Sequence, residues 1–517
     1  MPDPAATDDA CRELMRKNAR ESINQNLKKN REAAAVYQEM LPEIRAFSAY
    51  ANVHPFVFKC MDGRTQTNDH KGIPPTVATN RRSQGGRTDL TRGNLDVWDA
   101  IEKERLRTVG DGASQLFIFA GHESTLSTGC AAFLQEEDAL QQGSTEEAGK
   151  EYMHRQALIM RHEFSKDSSI DQSKIAILSA MTNTDTGSMK FYNNRKFMFD
   201  ADSIIADKGI DEPSEVFTTK FVRTAITEEW AHASIREKTP ESILNGEYAA
   251  FFTDMRVKIA FEAYMMRMIA ETGHTMIRPD IVRMLQKEFD NDLNEDVQTF
   301  LTYIMTMNLA YGTHYRKLID RWKNSDPNAL KARISHGELK MAYSISGHDL
   351  EDRNSFLLIK KGSGNEEEAV GIGLNVLTHN LEDLHLRETL PPIAHVNVEL
   401  TKPIETWDDY VDVVGRMRAK VGVIEKVFNK KFSKASAADL CIFTTYSYHQ
   451  SVPISDTGVP RTKQFMPLNA NPKNARILIS EAEDIGANIT KQSFSAVELH
   501  KRERAYTNMG TTTVLAG

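Results

Sequence analysis

The chain has 517 residues, 26% charged and 40% hydrophobic, with 64 basic against 72 acidic side chains and a formal net charge of −8. A mildly acidic balance without a long basic run argues against nucleic acid as the main partner. No stretch approaches the roughly 20 apolar residues that a membrane helix needs, and the polar start Met1-Pro2-Asp3-Pro4 does not read as a signal peptide.

Four cysteines in so long a chain do not make a disulfide scaffold. They fit a reducing, cytoplasmic compartment in which a thiol is free to hold metal.

Residues 1–50 read as an N-terminal helical arm. Leu14, Ile23, Leu27, Ala34, Tyr37, Leu41 and Ile44 recur at a loose helical period, with a break near Pro42. Residues 51–212 read as α/β. Pro55-Phe56-Val57-Phe58-Lys59 is a buried strand that ends on Cys60-Met61-Asp62-Gly63-Arg64. Thr76 to Asn80 is a second strand candidate, followed by a basic, Gly-rich loop, Arg81 to Arg87.

A helix over 94–108 precedes the strand Leu116 to Ala120, which ends in a loop bearing His122; Cys130 follows at the start of the next helix. Ser144-Thr145-Glu146-Glu147 has a capping-box pattern and opens a helix to Phe164. Lys174 to Ala180 is a further strand, and the alternation of elements implies a mainly parallel sheet.

Residues 213–335 are predicted to be helical, with turns near Gly273 and Pro279. The Met and aromatic stripes of 247–272 read as helix packing. Residues 336–517 return to α/β: strands at 356–359, 370–377, 393–400 and 440–446, and a helix through 405–430. This second α/β domain repeats the order of the first but lacks Cys-x-Asp-x-Arg and the His…Cys pair, so a diverged duplication would be a degenerate copy without metal.

Cys60, His122 and Cys130 make a Cys2His set, and a catalytic zinc keeps three protein ligands and an open fourth position. The interval from 60 to 122 is too long for a zinc finger but suits ligands at the C-terminal ends of two parallel strands. Asp62 is positioned to orient a zinc-bound hydroxide by accepting its hydrogen bond, and Arg64 to hold Asp62 in a bidentate pair. Arg81, Gly85 and Gly86 are expected to shape the substrate pocket. His70 is a candidate proton shuttle, with a solvated loop histidine as the plainer reading.

Other motifs point elsewhere. Leu126 stands where a zincin after His122-Glu123 would need its second histidine, and no P-loop or dinucleotide fingerprint is present. Glu-x-x-His occurs at Glu151/His154, Glu229/His232 and Glu382/His385, but in different regions, unlike a di-iron bundle. Cys11 and Cys441 read as structural or incidental.

Cys60-Met61-Asp62-Gly63-Arg64 resembles the Cys-x-Asp-x-Arg signature of the β-type carbonic anhydrases, and Ser127-Thr128-Gly129-Cys130-Ala131-Ala132 the segment bearing their last ligand. The pattern is most similar to the carboxysome shell (ε-class) subgroup. Asn183-Thr184-Asp185-Thr186 resembles that subgroup's segment after the third strand, and Leu390-Pro391-Pro392-Ile393-Ala394 its C-terminal domain.

The resemblance implies a β-carbonic-anhydrase-like fold and Zn2+ on Cys60, His122 and Cys130. It also implies reversible hydration of CO2 to bicarbonate by zinc-bound hydroxide, a homo-oligomer, and contacts with a carboxysome shell or Rubisco. The region before residue 51 is shorter than the subgroup's, so carboxysomal and free cytosolic locations both stay open; the interval from His122 to Cys130 is also slightly short, which implies a different shape for the loop 123–129. A COS or CS2 hydrolase of the same fold, and a non-catalytic shell-associated scaffold that retains the metal site, are the alternatives.

Overall fold

A computed structural model of the chain describes residues 41–208 apart from 61–64, 66–70, 74–76, 92–94, 111, 125–129, 131–132, 134–144 and 195. It also describes 255–325 apart from 291, the pieces 342–343, 356–359, 393–400, 406–432, 440–448 and 466–467, and scattered positions within 10–28 and 367–374.

The first sheet has six strands: β1 (Val53–Cys60), β2 (Thr79–Ser83), β3 (Ser114–Glu123), β4 (Ile175–Asn183), β5 (Met189–Asn193) and β6 (Lys196–Asp200). They lie in the order β2-β1-β3-β4-β5-β6. The first four are mutually parallel, and β5 and β6 continue the edge antiparallel.

All eight residues of β1 are buried, which is why its sequence runs almost unbroken in apolar residues: a parallel sheet is covered on both faces. Alternation sorts these residues between two cores. Val53 and Val57 join Leu116, Ile118 and Ala120 of β3 in one. Phe56, Phe58 and Cys60 join Phe117 and Phe119 in the other. There Phe58 stacks on Phe119 with ring centroids 4.6 Å apart.

The first core is closed by α1 (Leu41–Ala51) and, after α2 (Leu95–Gly110), α3 (Thr145–Ser165) and α4 (Ala201–Lys208), by α5 (Met255–Thr272), α6 (Pro279–Glu288) and α7 (Glu295–Ser325). Tyr264, Met265 and Ile269 of α5 and Phe300, Tyr303, Ile304 and Met307 of α7 recur at helical spacing and face the sheet. The described part of the helical region thus shares the sheet's core, and so does α1, the end of the expected arm. A buried Asn308 on α7 accepts from Met189 N–H at 2.9 Å and donates to Gly187 C=O at 2.9 Å, which ties the β4–β5 turn to the helix layer.

The second core holds Val97 and Ile101 of α2, Met153, Ala157, Met160 and Phe164 of α3, and residues of the C-terminal part, including Ile393, Val396, Ile424 and Phe443. That part forms a second sheet of β7 (Ala342–Tyr343), β8 (Phe356–Ile359), β9 (Ile393–Leu400), β10 (Cys441–Tyr448) and β11 (Met466–Pro467), ordered β11-β10-β9-β8-β7, with α8 (Trp407–Phe432) between β9 and β10. Three adjacent parallel strands followed by an antiparallel one recur in both sheets: β1-β3-β4-β5 and β8-β9-β10-β11. The outer strand differs, since β2 follows β1 in the chain whereas β7 precedes β8.

Three expectations need correction. Arg81, Arg82 and Ser83 are strand, not loop, because each pairs in parallel register with β1 (Arg81 with Phe58, Ser83 with Cys60), and ladder pairing outweighs their polarity. His122 lies within β3, which runs on to Glu123 because β4 continues beside it (His122 opposite Thr182). The run 370–377 is not a strand at its described positions: residues 370, 371, 373 and 374 are helical, and Val370 and Leu374, four apart, bury one face.

The β5–β6 hairpin was not expected from sequence; its signal is Asn193-Asn194, with Asn194 in the left-handed region at φ 48°. No helix among the described residues is long and apolar enough to cross a membrane.

Candidate metal centre

Cys60 is the last residue of β1, and Lys59 beside it pairs with Ala120 of β3. His122 stands two residues further along β3, so parallel pairing alone carries a thiol and an imidazole to one edge of the sheet. Cys130 arrives from the segment that leaves this edge. Cys60, His122 and Cys130 are 5%, 3% and 5% exposed, and their ligand atoms all lie within 4.8 Å of one another.

Donors placed about 2.0–2.3 Å from a common tetrahedral centre stand roughly 3.5–3.8 Å apart, so a group gathered this closely could hold a single ion. Two sulfurs and one nitrogen are a donor set that suits zinc. It is the only cluster of three or more such residues among those described.

Other candidates separate from it. His154 of the first Glu-x-x-His pair is a core residue: its Nδ1 lies 2.5 Å from Ser179 Oγ and its ring meets Tyr192 edge-on at 4.8 Å. Glu229/His232 and Glu382/His385 lie outside the described residues. Cys11 is exposed. Burial pushes the Cys441 thiol up to about 12, so it stays protonated in the second core. Asp62, Arg64 and His70 also lie outside the described residues; Thr65, just beyond the first two, donates its hydroxyl to Cys60 C=O at 3.1 Å.

The turn after β2 lies beside the backbone of Cys60 and Ala120. Gly85 and Gly86 hold φ of 65° and 70°, which glycine adopts without steric cost. A Cβ on Gly86 would stand 3.2 Å from both Cys60 N and Ala120 O. Ser83 Oγ closes the turn on Arg87 C=O at 2.6 Å.

Arg81 sits in β2 opposite Phe58, half-buried. Arg87, which the sequence reading passed over, has its guanidinium 5.0 Å above the Phe133 ring, and Phe133 N–H donates to Cys130 C=O at 3.1 Å. A cation–π contact therefore links the glycine turn to the residues around the third ligand. The signal in the sequence was an arginine directly after the paired glycines.

Gly86→Ala is expected to cost about 1–3 kcal/mol through its left-handed φ and to weaken metal binding, since the two backbone atoms it would crowd belong to β1 and β3. Urea unfolding with and without metal checks both effects.

Beyond His122 the edge is charged. Glu123 pairs with Lys190 at 2.8 Å. Burial pulls the Lys190 ammonium down, but the hydrogen bond and charge of Glu123 outweigh it, so its pKa ends above the usual lysine value. Burial pushes the neighbouring Tyr192 phenol up to about 12.

No protein-family model matches the chain, and no curated protein matches it in sequence.

Proposed function

We propose that the chain is a zinc-dependent carbonic anhydrase that interconverts CO2 and bicarbonate. What supports the reading is the burial of Cys60, His122 and Cys130 with their donor atoms within 4.8 Å at the ends of two adjacent parallel strands, together with the Cys-Met-Asp-Gly-Arg sequence that begins at the first of them.

Zinc bound there supplies a Lewis acid that lowers the pKa of a water ligand from about 15.7 towards 7. The chain's own residues divide the remaining work. Cys60 and Cys130 contribute two negative charges that balance the ion, and His122 completes the set with a neutral nitrogen. Asp62 would accept a hydrogen bond from the water and so orient it toward CO2. Arg64 would hold the Asp62 carboxylate in a bidentate pair. Gly86 leaves room where a Cβ would crowd the Cys60 and Ala120 backbone.

The resemblance extends the proposal to a cytoplasmic homo-oligomer, with a carboxysome shell or Rubisco as its partner. Metal analysis of the purified full chain with a stopped-flow CO2 hydration assay tests the core of it. Stoichiometric zinc with CO2 turnover is the expected result. Faster turnover of COS or CS2 than of CO2 would move the reading to a hydrolase of the same fold, and zinc without turnover of any of them to a scaffold.

A further inference from the structure

We infer that Phe133 is a positioning residue for the third metal ligand, Cys130, with its ring clasped between the Arg87 guanidinium and helix α3. The inference rests on the metal-centre reading.

The three ligands are not held alike. Cys60 ends β1 and His122 lies within β3, so the parallel ladders fix both backbones. Cys130 stands in neither a strand nor a helix, although it is as buried as Cys60. Its carbonyl accepts from Phe133 N–H at 3.1 Å. The placement of Phe133 therefore bears on Cys130 itself.

The Phe133 ring is held from two sides. It is 1% exposed and shares the second core with Cys60, Cys130 and Met153. The Arg87 guanidinium carbon stands 5.0 Å from its centroid, over the ring. On the α3 side, a Cβ on Gly149 would stand 3.4 Å from the ring edge, and the Tyr152 ring meets it tilted at 54° with centroids 5.9 Å apart. Gly149, Tyr152 and Met153 share one face of α3 by their spacing. Met153 carries that face to the other ligands. Its Cε would stand 3.0 Å from a Cβ on Gly86, which would also crowd Cys60 N, and its Cγ 3.5 Å from a Cβ on Gly121, the residue before His122. One face of α3 thus meets a neighbour of each ligand.

The Arg87 side of the clasp leads back to the first ligand. Arg87 C=O accepts from Ser83 Oγ at 2.6 Å, and Ser83 stands opposite Cys60 in the β1–β2 ladder. Direct contacts run from Cys60 through Ser83, Arg87 and Phe133 to Cys130. A guanidinium over an aromatic face is held more strongly where water is scarce, and here the ring is buried and Arg87 half-buried. Holding the Cys130 backbone in advance lowers the ordering cost of closing its thiol on an ion.

The test measures zinc affinity of the full chain by competition with a chromophoric chelator, alongside the visible absorption of the Co2+-loaded protein and thermal unfolding of the metal-free form. Phe133→Leu keeps an apolar side chain but removes the aromatic face; Arg87→Gln removes the cation. Each is expected to weaken zinc binding by about 10–100-fold, the usual effect of losing a group that orients a ligand, and to alter the Co2+ spectrum. The double variant should bind little worse than either single one, because both changes break one contact. Arg87→Lys, which restores a cation, should recover much of what Arg87→Gln loses. Phe164→Leu makes the same change elsewhere in this core, where Phe164 packs on Phe117 with centroids 5.5 Å apart. It should lower the unfolding temperature and leave zinc affinity unchanged.

The inference is overturned if Phe133→Leu and Arg87→Gln behave like Phe164→Leu, with affinity and Co2+ spectrum intact, or if their effects on affinity multiply in the double variant. Should Phe133→Leu fail to fold, Arg87→Gln against Arg87→Lys decides alone. A wild-type chain that binds no zinc would instead overturn the metal-centre reading beneath the inference, and the two failures are told apart by the wild-type measurement.

Discussion

Replacing Cys130 with alanine is expected to abolish both zinc binding and CO2 hydration. The variant keeps Cys60 and His122, but two ligands on adjacent strands make an incomplete site, and the acidification of water from about 15.7 towards 7 that the ion would supply is lost with it. Folding should survive, because the side chain removed, though buried, is small.

The control is Cys441→Ala. That thiol is buried and raised to about 12, and it stands outside the Cys60, His122, Cys130 group, so zinc content and turnover should match the wild type. Metal analysis and a stopped-flow hydration assay on the two variants check the pair. Stoichiometric zinc and normal turnover in Cys130→Ala would refute the assigned ligand set.

Asp62→Ala should separate metal binding from catalysis. Asp62 is not among the three ligands, so zinc should remain stoichiometric. Under the proposed mechanism Asp62 orients the attacking water, so activity should fall by about 100-fold. Arg64→Ala should act in the same direction, since its proposed role is to hold the Asp62 carboxylate. The decisive comparison is hydration rate at matched zinc content. Undiminished turnover in Asp62→Ala would remove the carboxylate from the mechanism and leave the chain as a metal-binding protein whose chemistry lies elsewhere.

Much of the sheet was legible because its signals are local. The apolar runs at 55–59, 116–120 and 174–180 are too short for helices and too continuous for half-exposed strands, which is how buried parallel strands read. The helices α2, α3 and α8 carry clear periodicity. Elements stabilised mainly by what lies next to them were less legible. Arg81 and Arg82 are polar yet strand, because β1 supplies their hydrogen-bond partners. Val370 to Leu377 is apolar and was read as a strand, but Val370, Gly371, Gly373 and Leu374 are helical; a short apolar run does not reveal its period until its neighbours are known.

The metal centre divides in the same way. Cysteine and histidine at strand ends are visible in one dimension, and so is the Cys-x-Asp-x-Arg pattern at Cys60. The glycine turn was suspected at Gly85 and Gly86, but not that a Cβ on Gly86 would crowd Cys60 N and Ala120 O. Arg87 carried no catalytic pattern of its own, and Asp185 only its place in Asn183-Thr184-Asp185-Thr186; one meets Phe133 and the other Ser124 only once the strands are paired.

The sequence by itself determined the donor chemistry: two thiols and an imidazole, each beside a buried strand, in a chain with few other cysteines. Tertiary structure decided that these three groups meet. Parallel pairing of β1 with β3 fixes the offset between Cys60 and His122 to within a residue, and burial on both faces of the sheet holds that offset because a slip of one position would turn every apolar side chain to the wrong core. The hydrogen bonds that connect α7, the β4–β5 turn and Ser124 belong wholly to this second kind of information, since they join residues that no local pattern relates.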